Sequence, residues 1–356
     1  MDILMSMIRE RSIGSCRRRA VPASGVATHT LEPLFAAHTL PMLVQARAQN
    51  LDLRAWALGH EALIESLLDR HGAILLRGFS LGAVEGLPAV AEALVGPPLP
   101  YVFRSTPRTE VTERIYTSTE YPADAHIPQH NENSYQSAWP LRLVFFCMVP
   151  AAWGGETPVA DSRRVLGRLS PRLVARFEEH GVRYVRNYVR DGSRGFDLPW
   201  PEVFQTEDRA EVEAYCRAHD IEFAWGPHDR LRTWQRRPAL VHHPRTGERV
   251  WFNQAHLFHP SALPEAVRGS LLELYREDEL PRNAYLGDGS PLCEDEMSDI
   301  RAAFAAEAVS FPWERHDVLL LDNVLASHGR SPYRGARSVL VAMARLVTAA
   351  VEGDAR

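Results

Sequence analysis

The stretch DVLLLDNVLASHGRSPYRGARSVLVAMARLV, residues 317–347, decides the fold. It holds two apolar runs, DVLLLDN (317–323) and SVLVAMARLV (338–347), with VLASHGRSPYRGAR between them. Short apolar runs bounded by turn residues read as buried strands. A third run, LRLVFFCMV (141–149), is a strand by the same test, and GGETPVAD follows it immediately. AILLRGF, ending near Gly78, is a fourth, and residues 182–190 alternate as a strand does. Many strands at irregular spacing with a few helices point to a β-rich barrel or sandwich. A doubly wound parallel sheet would need regular strand–helix alternation and a glycine-rich phosphate turn, and the sequence has neither.

Helical spacing appears from Leu53 in RAWALGHEALIESLLDRHG, with Gly72 as the stop, and again in GLPAVAEALVG. SPRLVARFEEHG carries Ser170 as cap, Pro171 at the first helical position and Gly181 at the end. Residues 1–45 read as an irregular N-terminal segment. Residues 46–350 then form one domain, and 190–235, rich in Gly, Pro, Trp and charge, is a lid or insertion.

The chain has 356 residues, 45% of them hydrophobic, enough for a sizeable core. Its net charge of −5 and the lack of a basic stripe argue against a nucleic-acid partner. All forty basic residues are arginine, which fits a GC-rich coding sequence. Four cysteines, Cys16, Cys147, Cys216 and Cys293, lie too far apart for a zinc motif and suggest a reducing compartment. No apolar run approaches a bilayer's thickness, and the arginines follow the N-terminal apolar patch, the wrong order for a secretory signal. The expectation is a cytoplasmic protein with no membrane partner.

The chemistry begins at IPQHNENSYQ, residues 127–136. His130 and Glu132 stand two apart, so in an extended chain they face one side and reach one metal ion from one strand edge. The pair alone is common by chance. A third ligand must come from elsewhere, and His328 lies between two buried strands. Two imidazoles and a carboxylate suit Fe(II) and leave positions open. His242, His243, His256 and His259 compete for the role. Neighbours 242 and 243 face opposite sides of a strand, whereas 256 and 259 would be adjacent on a helix.

HNENSY, then LVFFCMVPAAWGGETPVADSRRVL, then LLLDNVLASHGRSPYRGARSVLVAM together resemble the taurine dioxygenase (TauD/TfdA) and clavaminate synthase superfamily. The resemblance spans about Leu53 to Val347 and is closest to the branch associated with nonribosomal peptides and amino-acid natural products. It implies a double-stranded β-helix, a jelly roll with flanking helices. It implies Fe(II), 2-oxoglutarate and O2, with His130, Glu132 and His328 as metal ligands. Many members carry aspartate where this chain has Glu132; the clavaminate-like branch carries glutamate. Thr157 in GGETP and Arg337, nine residues after His328, match the residues that hold 2-oxoglutarate. Arg330, Arg334 and Arg345 are lesser candidates. Asn133 and, in WFNQAHLFH (251–259), Asn253 and Gln254 are expected substrate contacts.

Halogenases of this fold replace the carboxylate ligand with a small residue. Glu132 therefore points to hydroxylation, with desaturation and ring closure as alternatives. The implied substrate is amino-acid-like: free, peptide-bound or presented by a peptidyl carrier protein. Two alternatives remain: a non-catalytic metal- or metabolite-binding jelly roll, and a different metalloenzyme on a jelly roll, such as an isomerase or hydrolase. The latter would have no need of Thr157 and Arg337 poised for 2-oxoglutarate.

Overall fold

The computed structural model describes residues 27–101, 108–119, 121–191 and 197–348. Its centre is an eight-stranded sheet. In spatial order the strands are His29–Pro33, Met42–Ala46, Ala73–Arg77, Val318–Asp322, Ala138–Val149, Ser338–Thr348, Ile115–Thr117 and Glu110–Thr112. All neighbours are antiparallel except Met42–Ala46 with Ala73–Arg77. A three-stranded sheet, Ile127–His130, Ala326–Arg330 and Val159–Asp161, faces it. The chain passes from the small sheet to the large one and back, at 127–130, 138–149 and 159–161. It repeats the passage in the opposite sense at 318–322, 326–330 and 338–348. That exchange makes the jelly roll.

The apolar runs are continuous because both faces of the large sheet are covered. Along Ala138–Val149, Leu143, Phe145 and Cys147 point into the space between the sheets, with Leu319, Leu321, Val339 and Val341. Val144 and Phe146 point outward, with Leu320, Leu340 and Ala342, against the helices Leu53–Gly59, Glu61–His71 and Leu87–Val95. Each buried Leu, Val or Phe contributes about 1.5–3 kcal/mol relative to exposure. The helical stretch from Leu53 is two helices, broken at His60. The Pro171–His180 helix is capped by the Ser170 hydroxyl, which accepts from Leu173 N.

Two segment readings change. Residues 29–33 and 42–46, expected to be irregular, are strands. They are too short to show periodicity, and pairing onto Ala73–Arg77 orders them. Residues 1–26 lie outside the described residues. Within 190–235, Trp200–Phe204 and Arg209–Ala218 are helices, and Glu222–Trp225 and Leu231–Arg237 are strands. Those strands join Val182–Tyr188 and Arg282–Leu286 in a four-stranded sheet with its own core, including Trp200, Val212 and Tyr188.

The turn after the long strand needs its glycine. Gly154 has φ 68°, and a Cβ there would lie 2.1 Å from the Pro332 carbonyl oxygen. Gly154→Ala is expected to cost about 1–3 kcal/mol from the strained backbone alone. Urea unfolding against wild type measures it, and an unchanged midpoint would show that the turn relaxes freely.

Candidate metal and cosubstrate site

His130 ends one strand of the small sheet and His328 lies in its neighbour, directly opposite in register. Their rings sit 4.4 Å apart between centroids, tilted by 46°. Glu132 does not lie on the strand. The strand stops at His130, and the chain turns at Asn133 with φ 59°. The extended-chain picture of the His-x-Glu pair is therefore corrected: a strand end and a turn aim the two side chains together.

Asn323 sets that turn. Its Oδ1 accepts from Glu132 N at 2.7 Å, and its Nδ2 donates to the carbonyls of Glu132 and Pro140, both at 2.9 Å. Asn131 reaches back to the Asn323 carbonyl at 2.7 Å. The sequence reading missed both asparagines. The only trace of them is DN immediately after a buried strand, which is also ordinary turn chemistry.

Donor atoms of His130, Glu132 and His328 all lie within 4.8 Å of one another. Glu132 Oε2 is 3.8 Å from His328 Nε2. Burial lowers the pKa of both histidines, that of His328 well below the usual range, so both are neutral and their lone pairs are available. His130 Nδ1 is 2.9 Å from the Pro128 carbonyl, which turns Nε2 toward the cluster. The set of two neutral imidazoles and one carboxylate fits Fe(II) by donor chemistry and by spacing.

Three of the competing histidines have other tasks. His243 Nε2 sits 2.8 Å from buried Asp322. His256 lies 3.0 Å from the Gln129 carbonyl and stacks on Phe304. His259 caps the short helical turn at Pro260–Ala262. His242 is exposed.

Thr157, His130, His328, Phe145 and Arg337 line one cavity of about 30 Å³. Arg337 donates from Nε to the Gly155 carbonyl at 2.9 Å and from Nη1 to Ser118 Oγ at 3.3 Å. It has no carboxylate partner among the described residues. Burial, then the nearby Arg330, lowers its pKa to about 10, which still leaves it charged at neutral pH. A part-buried guanidinium with spare donors is an anion site. Thr157 Oγ1 accepts from Trp313 Nε1 at 3.2 Å.

The other arginines are committed elsewhere. Arg330 donates to the carbonyls of Tyr121, Pro122 and Ala125. Arg345 pairs with Glu65, and Arg334 lies over Trp153.

Asn253 and Gln254 do not line this cavity. Asn253 donates to the Ala239 carbonyl at 3.0 Å, and Gln254 Nε2 to the Asn131 carbonyl at 2.7 Å. Both brace the backbone behind the site. Asn133 serves the turn. A larger cavity of about 270 Å³, bordered by Tyr188, Trp225 and Tyr275, shares no lining residue with the metal-ligand cluster.

Fold and site together define a non-haem iron oxygenase of the jelly-roll kind. Residues 33–343 match the taurine catabolism dioxygenase TauD, TfdA family, and the chain belongs to that family. It is an Fe(II)- and 2-oxoglutarate-dependent dioxygenase. It is 40% identical over 316 residues to the dapdiamide synthesis protein DdaC of Enterobacter agglomerans, covering 89% of this chain and 94% of that protein. It is 34% identical over 289 residues to a clavaminate synthase-like protein of Arabidopsis thaliana, covering 79% and 84%. Among solved structures, PvcB of Pseudomonas aeruginosa superposes with a TM-score of 0.53 at 13% identity, covering 90% of this chain and 92% of that one. That likeness concerns the fold alone. Among the described residues no helix is long and apolar enough to cross a membrane.

Proposed function

We propose that this dioxygenase hydroxylates an unactivated C–H bond of an amino acid, or of an amino-acid unit in a peptide or on a carrier protein, in natural-product biosynthesis. His130, Glu132 and His328 hold the iron, and Arg337 and Thr157 hold 2-oxoglutarate. One observation carries this reading: the three donors converge beside Arg337, a part-buried arginine with no carboxylate partner among the described residues. The similarity to a dapdiamide synthesis protein supports the biosynthetic setting.

When bound, the iron and cosubstrate supply oxidising power through decarboxylation of 2-oxoglutarate. The protein's part is placement. Glu132, fixed by Asn323, supplies negative charge at one side of the site. The Arg337 fork receives the cosubstrate's distal carboxylate. Phe145, 5.2 Å from the His328 ring, gives the cavity an apolar wall that limits water. Keeping the Glu132 carboxylate leaves no coordination place for a halide.

Three measurements test the proposal. Anaerobic protein with Fe(II) and 2-oxoglutarate is expected to show a visible charge-transfer band. Free and carrier-bound amino acids are then screened for stimulated succinate release. Mass spectrometry looks for the gain of one oxygen atom in the product. A folded sample with no band and no succinate would end the proposal. Arg337→Ala is expected to raise the 2-oxoglutarate KM by about tenfold to a hundredfold, the worth of a lost charged hydrogen bond. A KM within twofold of wild type would assign the cosubstrate carboxylate to another group.

A further inference from the structure

Arg108 enters the metal-site cavity, and the mechanism above gives it no part. It is 7% exposed, and its Nη2 donates to Glu132 Oε2 at 2.8 Å. Its guanidinium carbon lies 5.0 Å from the centre of the Tyr101 ring. Among the described residues its buried Nε has no hydrogen-bond partner. A buried, unused donor on a cation is costly unless a ligand fills it.

We propose that Arg108 is the substrate anchor: its free donors receive a carboxylate of the substrate beside the metal site. The inference rests on the oxygenase reading above and narrows its substrate to one with a free carboxylate. Charge balance points the same way. Arg108, Arg330 and Arg337 line the cavity, and the Glu132 carboxylate pairs with Arg108. A divalent iron and the 2-oxoglutarate dianion cancel each other, so the cavity keeps an excess of cation. Of the three guanidinium groups, Arg330 is tied to three main-chain carbonyls and Arg337 to Gly155 and Ser118. Arg108 is held by one ion pair and an aromatic face, so its fork is the one able to turn to a ligand. A planar guanidinium matches a carboxylate's two oxygens.

The test uses anaerobic protein loaded with Fe(II) and 2-oxoglutarate. It is titrated with free L-amino acids and, in parallel, with their C-terminal primary amides. Perturbation of the charge-transfer band reports binding, and succinate release under O2 reports coupling. At least one free acid is expected to perturb the band, and its amide to bind about tenfold to a hundredfold more weakly. Arg108→Met is expected to weaken the acid by a similar factor and its amide little, so that the two bind alike. Arg108→Lys is expected to recover part of the loss, since a point charge keeps the attraction without the fork. Should Arg108→Met fail to fold, Arg108→Lys carries the comparison alone, with a loss of about tenfold. An amide as good as its acid, no response to any free acid, or wild-type acid binding in the variants overturns the proposal. Those results would leave the oxygenase reading standing, whereas failure of the wild-type band to form would remove both.

Discussion

His328→Ala abolishes turnover and weakens iron binding by more than about a hundredfold. Loss of an outer-shell partner alone typically costs 10- to 100-fold in metal affinity, and His328 is proposed as a direct ligand. The same variant should keep its fold. His328 donates no hydrogen bond that holds the small sheet together; its place there is set by backbone pairing to His130 and Val159. Isothermal titration with Co(II) measures the affinity, and circular dichroism checks the sheet. A variant that binds metal within tenfold of wild type would remove His328 from the ligand set. Glu132→Ala is expected to give the same loss of metal binding from the turn after Ile127–His130, with an added loss of stability because buried Arg108 loses its carboxylate partner.

The second large effect concerns stability. Asp322 is fully buried at the end of the strand that precedes His328. Its Oδ2 accepts from the equally buried Arg142 and sits 2.8 Å from His243 Nε2. Its Oδ1 accepts from Val324 N at 2.9 Å and Leu325 N at 3.0 Å. Asp322→Ala strands the Arg142 charge with only Glu65 and Asp69 for partners. Breaking one side of a buried ion pair costs about 3–5 kcal/mol. It also frees the turn in which the next residue, Asn323, holds Glu132. Urea unfolding is therefore expected to show a loss of about 3–5 kcal/mol, accompanied by weaker metal binding. A loss below about 1 kcal/mol would mean that the network contributes little to stability.

The two effects separate what the site does from what holds it in place, and the sequence reveals these unequally. The ligands are legible because their residue types are chemically rare in that combination and their segments resemble a family pattern. Their supports are not. Asn131, Asn323 and Arg108 are ordinary residues whose importance lies in contacts 24 to 192 positions away. Asn253 and Gln254 fail in the opposite way. Their position beside a plausible motif suggested substrate, but tertiary packing spends their amides on the main chain of the Asn131 turn and its neighbours. Short-range pattern cannot tell a polar group facing a ligand from one facing a carbonyl.

Residues 29–33 and 42–46 show the same limit for secondary structure. A strand of five residues takes its order from its partners, not from its own periodicity.

By itself, the sequence determined the strand-rich class, the positions of the long buried strands and the separate helix caps, and it picked out the three residues proposed as donors together with Arg337. These are local: hydrophobic period, turn chemistry and residue type act over a few positions. Only the tertiary structure decided that Glu132 leaves the strand and is aimed by Asn323, that His243, His256 and His259 are already engaged, and that the buried Arg108 guanidinium meets the carboxylate. Those outcomes depend on which distant groups share a desolvated space, where an unpaired polar atom is expensive and each partner is fixed by the packing around it.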